Sequence, residues 1–97
     1  MSLSHQEKKQ TEVIEISLEE DLRDLVVYND DFNTFEHVAN CLMKYIPHMT
    51  EELAWELTNQ VHYQGLAIVW VGPMEQAELY HAQLKQAGLT MAPLEPE

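Results

Sequence analysis

Residues 25–46, LVVYNDDFNTFEHVANCLMKYI, change pattern halfway along. Leu25–Tyr28 is a short apolar run rich in β-branched residues. Asn29-Asp30-Asp31 ends it, as expected of a strand entering a turn. Phe35, Val38, Leu42 and Ile46 then recur at three- and four-residue steps, which is the spacing of one helix face, and Pro47 stops the pattern. Five of the six positions from 29 to 34 carry Asn, Asp or Thr, whereas capping a helix start needs one such residue. The excess marks this strand-to-helix turn as a candidate site.

Working outward, Thr50 precedes Glu51-Glu52 as the expected N-cap of a second helix, whose acidic first turn suits the positive end of the helix dipole. Leu53, Leu57 and Val61 form its expected apolar stripe, and Gly65 ends it. Leu66–Val71 is apolar almost throughout, which predicts a central strand, broken by Gly72-Pro73. A third helix is expected over Met74–Ala87, with Ala77, Tyr80, Leu84 and Ala87 inward and Gly88 closing it. Leu89–Leu94 makes a last short strand. The order β-α-α-β-α-β predicts a small single α/β (α+β) domain, a three-stranded sheet with helices packed on one face. Residues 1–22 are polar and acidic, although Val13, Ile14, Ile16 and Leu18 leave room for a short strand. They read as a mobile N-terminal extension ahead of a folded core at 23–97.

The totals restrict what such a domain does. Ninety-seven residues with 45% hydrophobic content suit one modest core. Seventeen acidic against five basic residues give a formal charge of −12, which repels phosphate backbones, so no nucleic-acid partner is expected. A cationic partner is favoured. Neither a secretory signal nor a membrane-spanning apolar stretch is found, and Cys41 has no disulfide partner in the chain. These features point to a soluble intracellular protein in a reducing compartment.

Sites for covalent chemistry are missing. Cys41 shares a helix face with His37, but two ligands do not complete a zinc site, and it reads as a buried structural cysteine. No HExxH, CxxC or glycine-rich phosphate loop is present, so neither an enzyme nor a cofactor is expected. Asp30, Asp31 and His62 have ligand types suited to a hard or borderline cation, in a spacing that matches no known metal loop. VHYQG, residues 61–65, places the imidazole of His62 at the C-terminal end of the second helix, where it can also compensate the helix dipole.

Together, NDDFNTFEHV and the later HYQG resemble the ClpS family of protease adaptors. The strand AIVWVGP, the helix MEQAELYHAQLKQAG and the end LTMAPLE share that resemblance, which runs over roughly residues 24–97 in one order. It implies an adaptor that binds the free first residue of an N-degron substrate and hands it to a Clp AAA+ unfoldase. It places Asn29, Asp30 and His62 at the substrate's α-amino group. An ammonium offers only donors, so acceptors with negative charge nearby suit it. Asp31 and Asn33 fall at loop-supporting positions. Phe35, Val38, Leu42, Thr58 and Val61 fall where a pocket for a bulky Phe, Leu, Tyr or Trp side chain is lined. Glu75 and Glu78 match the surface that meets the N-terminal domain of an unfoldase of the ClpA or ClpC type.

The chain departs from the family at three places. Phe35 and Thr58 stand where many members carry Met, and Tyr80 where relatives can carry Lys. The resemblance also implies a monomer in bacterial cytoplasm or plastid stroma. Two other readings use the same residues: an interaction module regulating a Clp ATPase without reading N-termini, and a metal-dependent hydrolase built on Asp30, Asp31 and His62.

Overall fold

The computed structural model describes residues 21–94. Most of the expected mobile extension, residues 1–20, lies outside the described residues, as do residues 95–97. The described chain runs β1 (Leu22–Tyr28), α1 (Phe35–Tyr45), α2 (Glu51–Gln64), β2 (Leu66–Pro73), α3 (Met74–Gln86) and β3 (Thr90–Met91). The expected element order is therefore found, with β1 starting three residues ahead of Leu25.

The sheet order is β2-β1-β3, with both pairings antiparallel. The first strand is thus central, and β2, expected in the middle, lies at an edge. The expectation failed because β2 is apolar on both faces while only one face is covered. Ala67 and Val69 are buried with Leu25 and Val27, whereas Leu66, Ile68 and Val71 remain exposed. Leu25 pairs with Trp70 and Val26 with Ile68, so Val69 is an extra residue in a β-bulge. The third strand spans Thr90–Met91 rather than Leu89–Leu94. The Ala92 N–H still reaches the Val26 carbonyl at 3.0 Å, and Pro93 then has no N–H with which to continue the ladder.

Helix boundaries follow local chemistry. Thr34 caps α1 by accepting from the His37 N–H at 3.1 Å, and Thr50 caps α2 by accepting from Leu53 at 3.1 Å. Gly65 closes α2 with φ +94°, a left-handed conformation that favours glycine, and its N–H bonds Val61 at 2.9 Å. The inward face of α2 is Ala54, Thr58 and Val61 rather than the expected Leu53, Leu57 and Val61. Leu57 is half-buried against the core and Leu53 is 41% exposed. Small residues on the inner face allow close helix approach. Buried Thr58 satisfies its hydroxyl by donating to the Ala54 carbonyl at 2.8 Å.

At the other end of the sheet, the Trp70 ring packs against Gly72 and meets Tyr80 edge-on, with ring centroids 5.0 Å apart. A Cβ at Gly72 would sit 2.2 Å from that ring, so alanine there has to displace the indole. The Gly72→Ala variant is expected to lose about 1–3 kcal/mol, roughly 4 °C or more in Tm for a domain of this size. Calorimetry together with tryptophan emission will show it, the emission shifting red as Trp70 leaves Tyr80.

Candidate functional site

The turn after β1 is organised around one carboxylate. Oδ1 of Asp30 accepts from the backbone N–H groups of Phe32 (2.9 Å) and Asn33 (2.8 Å). Oδ2 accepts from Asn33 Nδ2 (2.7 Å) and from the Thr90 hydroxyl (2.6 Å). Burial pushes the Asp30 carboxyl up, but the hydrogen bonds from Thr90, the two backbone N–H groups and the Asn33 side chain outweigh it, leaving a pKa of about 2. Asn33 uses its second amide hydrogen on the Gly88 carbonyl at 2.9 Å. This closes the turn onto the segment that follows α3. Asp31 is exposed.

On the other side, the Asn29 N–H donates to the Gly65 carbonyl at 2.9 Å, joining the end of β1 to the cap of α2. That bond brings Asn29 and His62 to one rim. Asn29, Asn33, Thr34, Phe35, Val38, Thr58, Val61 and His62 line a single hollow there. The sequence expectation thus assembles at seven positions. Leu42 does not reach the hollow, because it is fully buried in the core beneath it. Asp30 lines the adjoining cleft with Thr90 and Leu89. Thr34, expected only as a cap, is an additional lining residue.

Polar side chains in and around the hollow differ in how they are engaged. The ring nitrogens of His37 and His81 bond the carbonyls of Ala87 (2.8 Å) and Ala92 (2.9 Å). Neither ring nitrogen of His62 nor the side-chain amide of Asn29 has a hydrogen-bond partner among the described residues. The His62 ring is instead held by aromatic contacts, with Phe35 at 4.4 Å and Tyr63 at 4.8 Å between centroids. Two open polar groups therefore face a hollow whose deeper walls, Val38 and Val61, are apolar, beside a firmly ionised carboxylate. Such a place accepts hydrogen bonds from a cationic donor that carries an apolar substituent.

The hollow is narrow. It holds about 20 Å³, room for one water, and the Phe35 and His62 rings of its lining are in contact with each other.

Among the described residues, no three His, Cys, Asp or Glu side chains group to hold a metal ion, so Asp30, Asp31 and His62 are not gathered into one three-ligand cluster. Cys41 is buried 3.5 Å from His37 Nε2. Burial pushes its thiol up, against a smaller opposite effect of Lys44, which makes it a poor nucleophile. Glu75 and Glu78 are exposed on α3. Tyr80 is half-buried against Trp70, so its size serves packing. No helix among the described residues is long and apolar enough to cross a membrane.

Comparison with known proteins agrees with this architecture. The family model described as ATP-dependent Clp protease adaptor protein ClpS matches residues 19–96, and the chain belongs to this family of adaptor proteins. It is 80% identical over 73 residues to the ATP-dependent Clp protease adapter protein ClpS of Thermosynechococcus vestitus, covering 75% of this chain and 78% of the relative. It is 38% identical to the chloroplastic adapter CLPS1 of Arabidopsis thaliana, over 75% of this chain and 45% of the relative. The solved structure of Agrobacterium tumefaciens ClpS2 bound to L-phenylalaninamide superposes with a TM-score of 0.66 at 29% identity, covering 78% of this chain and 96% of that one.

Asp30 gives the site a measurable signature. Its folded-state pKa lies below the ordinary 3.8, so the ionised turn contributes stability above about pH 4 that is lost as pH falls towards about 2. Thr90→Val removes one of the four hydrogen bonds. It is expected to raise the Asp30 midpoint in a carboxyl NMR titration and to cost about 1–2 kcal/mol in denaturant unfolding at pH 7. An unchanged midpoint would show that the Thr90 hydroxyl does not hold the carboxylate.

Proposed function

We propose that this chain binds the free first residue of N-degron proteins and delivers them to a Clp AAA+ unfoldase for degradation. The observation that carries the reading is the hollow at the end of β1, where Asn29 and His62 present open polar groups beside ionised Asp30 and above apolar Val38 and Val61. An N-terminal residue offers the matching parts: an ammonium with three donors and a side chain directed inward. The ligand named for the Agrobacterium relative, L-phenylalaninamide, has the same two parts.

In this reading Asn29 Oδ1 and a neutral His62 nitrogen accept from the ammonium. Asp30 contributes its charge through space while its oxygens hold the turn. Asp31 adds negative potential, and Asn33 fixes the pocket edge. The side chain of a Phe, Leu, Tyr or Trp enters between Phe35, Val38, Thr58 and Val61. Phe35 has to turn aside first, since about 20 Å³ is too little for any of them. Side-chain burial of roughly 1.5–3 kcal/mol and charge-assisted hydrogen bonds of about 1.5–3 kcal/mol each, less the cost of association, suit a micromolar dissociation constant. A carrier that must release its cargo needs no more.

Glu75 and Glu78 on α3 meet the N-terminal domain of a ClpA- or ClpC-type unfoldase, with the chain acting as a monomer. The compartment proposed for this work is bacterial cytoplasm or plastid stroma, a reading supported by relatives from Thermosynechococcus, Nostoc and, as a chloroplastic adapter, Arabidopsis.

Fluorescence anisotropy with peptides beginning in Phe, Leu, Tyr or Trp tests the reading. Free-amine peptides are expected to bind and their acetylated forms to lose at least about tenfold, the loss of one charge-assisted contact. His62→Phe keeps a ring against Phe35 but removes the acceptor, and is expected to weaken binding by a similar factor. Equal binding of free and acetylated peptides would refute the assignment. Phe35→Ala, which opens the hollow, is expected to strengthen Trp and Phe peptides relative to Leu.

A further inference from the structure

The first helix has a second face. Phe35 and Val38 line the hollow, whereas His37, Asn40, Cys41 and Lys44 recur at three- and four-residue steps on another stripe. With Tyr45 and with Ala87, which follows α3, that stripe lines a groove of about 250 Å³. The groove is far roomier than the hollow at about 20 Å³. His37 ties its two walls together, since Nε2 bonds the Ala87 carbonyl at 2.8 Å and lies 3.5 Å from the Cys41 sulfur. Burial keeps the Cys41 thiol protonated, so it adds a polarisable, uncharged surface.

Charge enters through Lys44. Its Nζ stands 5.3 Å from the centre of the Tyr45 ring, a contact that leaves ammonium hydrogens open for an acceptor. Among the described residues no carboxylate pairs with it, although the chain holds seventeen acidic residues against five basic ones. Asn40, one turn earlier, adds an exposed amide with two donors. A cation and an amide therefore stand beside thiol, methyl and ring surfaces, which suits an anion carrying an apolar body.

Size decides the kind of occupant. A protein partner covers about 800 Å² and roughly 20–30 residues a side, whereas six residues line this groove. Its volume lies near the lower end of ordinary small-molecule sites, about 300–1,000 Å³. We infer that the groove between α1 and the end of α3 binds a small carboxylate with a planar apolar body. The carboxylate meets Lys44 and Asn40, and the body lies against Cys41, Tyr45 and Ala87. The field of a chain with formal charge −12 opposes any anion, so binding depends on the direct contact with Lys44. This site stands apart from the first-residue reading and does not rest on it.

Titrating the full chain with naphthoate, followed by amide proton–nitrogen NMR, tests the site. The signals of Asn40, Cys41, Lys44 and Ala87 are expected to move with a dissociation constant of about 1 mM or tighter, ordinary for a ligand of this size. Naphthamide has the same body without the charge and is expected to bind at least about tenfold more weakly. Lys44→Gln is expected to lose naphthoate by a similar factor. Asn40→Asp, which sets a carboxylate one turn from Lys44, is expected to abolish binding. Both positions are exposed, and unmoved signals from Leu25 and Leu84 in the core will confirm that each variant is folded. Absence of any response to naphthoate would refute the site. Equal binding of naphthoate and naphthamide, or an unchanged affinity in Lys44→Gln, would overturn the carboxylate assignment. Movement at Asn29 and His62 instead would put the ligand in the hollow and overturn the groove. If an acetylated peptide ending in a free Phe carboxylate moves the groove signals at lower concentration than naphthoate, the occupant is a chain terminus and the small-molecule assignment fails.

Discussion

Four hydrogen bonds converging on the Asp30 carboxylate hold together parts of the chain that are far apart in sequence. Two come from the backbone of its own turn, one from Asn33 and one from Thr90 in β3. A turn between a strand and a helix ordinarily satisfies itself with one cap, and Thr34 already supplies it. Asp30 therefore does something besides starting α1: it pins a polar loop to the far edge of the sheet. Because the carboxylate stays ionised through the neutral range, the same group that builds the loop gives the rim its fixed negative charge. Structure and electrostatics cannot be separated at this position, and removing the side chain would disturb both.

The remaining ties act on the same rim. Asn29 is fastened to the cap of α2 through Gly65, and Asn33 and His37 are fastened to Gly88 and Ala87 after α3. Three element junctions are thereby gathered around one opening. Helix ends and strand ends carry the backbone groups that regular structure leaves without partners, so their convergence supplies many polar groups at one place. Most pair with each other. The side chains of Asn29 and His62 do not, and their position at the mouth leaves them open to water.

How much of this was legible depends on the range over which each signal acts. Element order followed from local periodicity, with Pro47, Gly65 and Gly72 marking boundaries, and seven of the residues singled out in the sequence, Asn29, Asn33, Phe35, Val38, Thr58, Val61 and His62, stand together around the hollow. The order of strands was not legible, since a continuous apolar run such as Leu66–Val71 does not say whether both of its faces are covered. Leu42 fits the same helical stripe as Val38 and lies one turn further from the opening, a distance that periodicity does not encode. Thr90 gave no signal at all. It stands sixty residues from Asp30, and only the antiparallel return of β3 brings its hydroxyl to the turn. The missed α2 face has a similar cause: hydrophobicity selected Leu53, while packing selected Ala54 and Thr58, where close approach matters more than apolar area.

Under the proposed function, selectivity for a free amine follows from which groups stay open. A hollow lined only by apolar side chains would hold a bulky residue wherever it occurred in a peptide. Asn29 and His62 add acceptors that an ammonium satisfies with up to three donors, whereas an acetylated nitrogen offers one hydrogen and no charge. Occupying the site with the acetylated form would leave an acceptor desolvated without a partner, a cost of about 1–3 kcal/mol, and would forgo attraction to Asp30. In the same reading the apolar walls set how large a side chain is welcome, with Phe35 as the residue at the mouth that has to give way. In that reading the open acceptors are what restrict the site to the first residue of a chain.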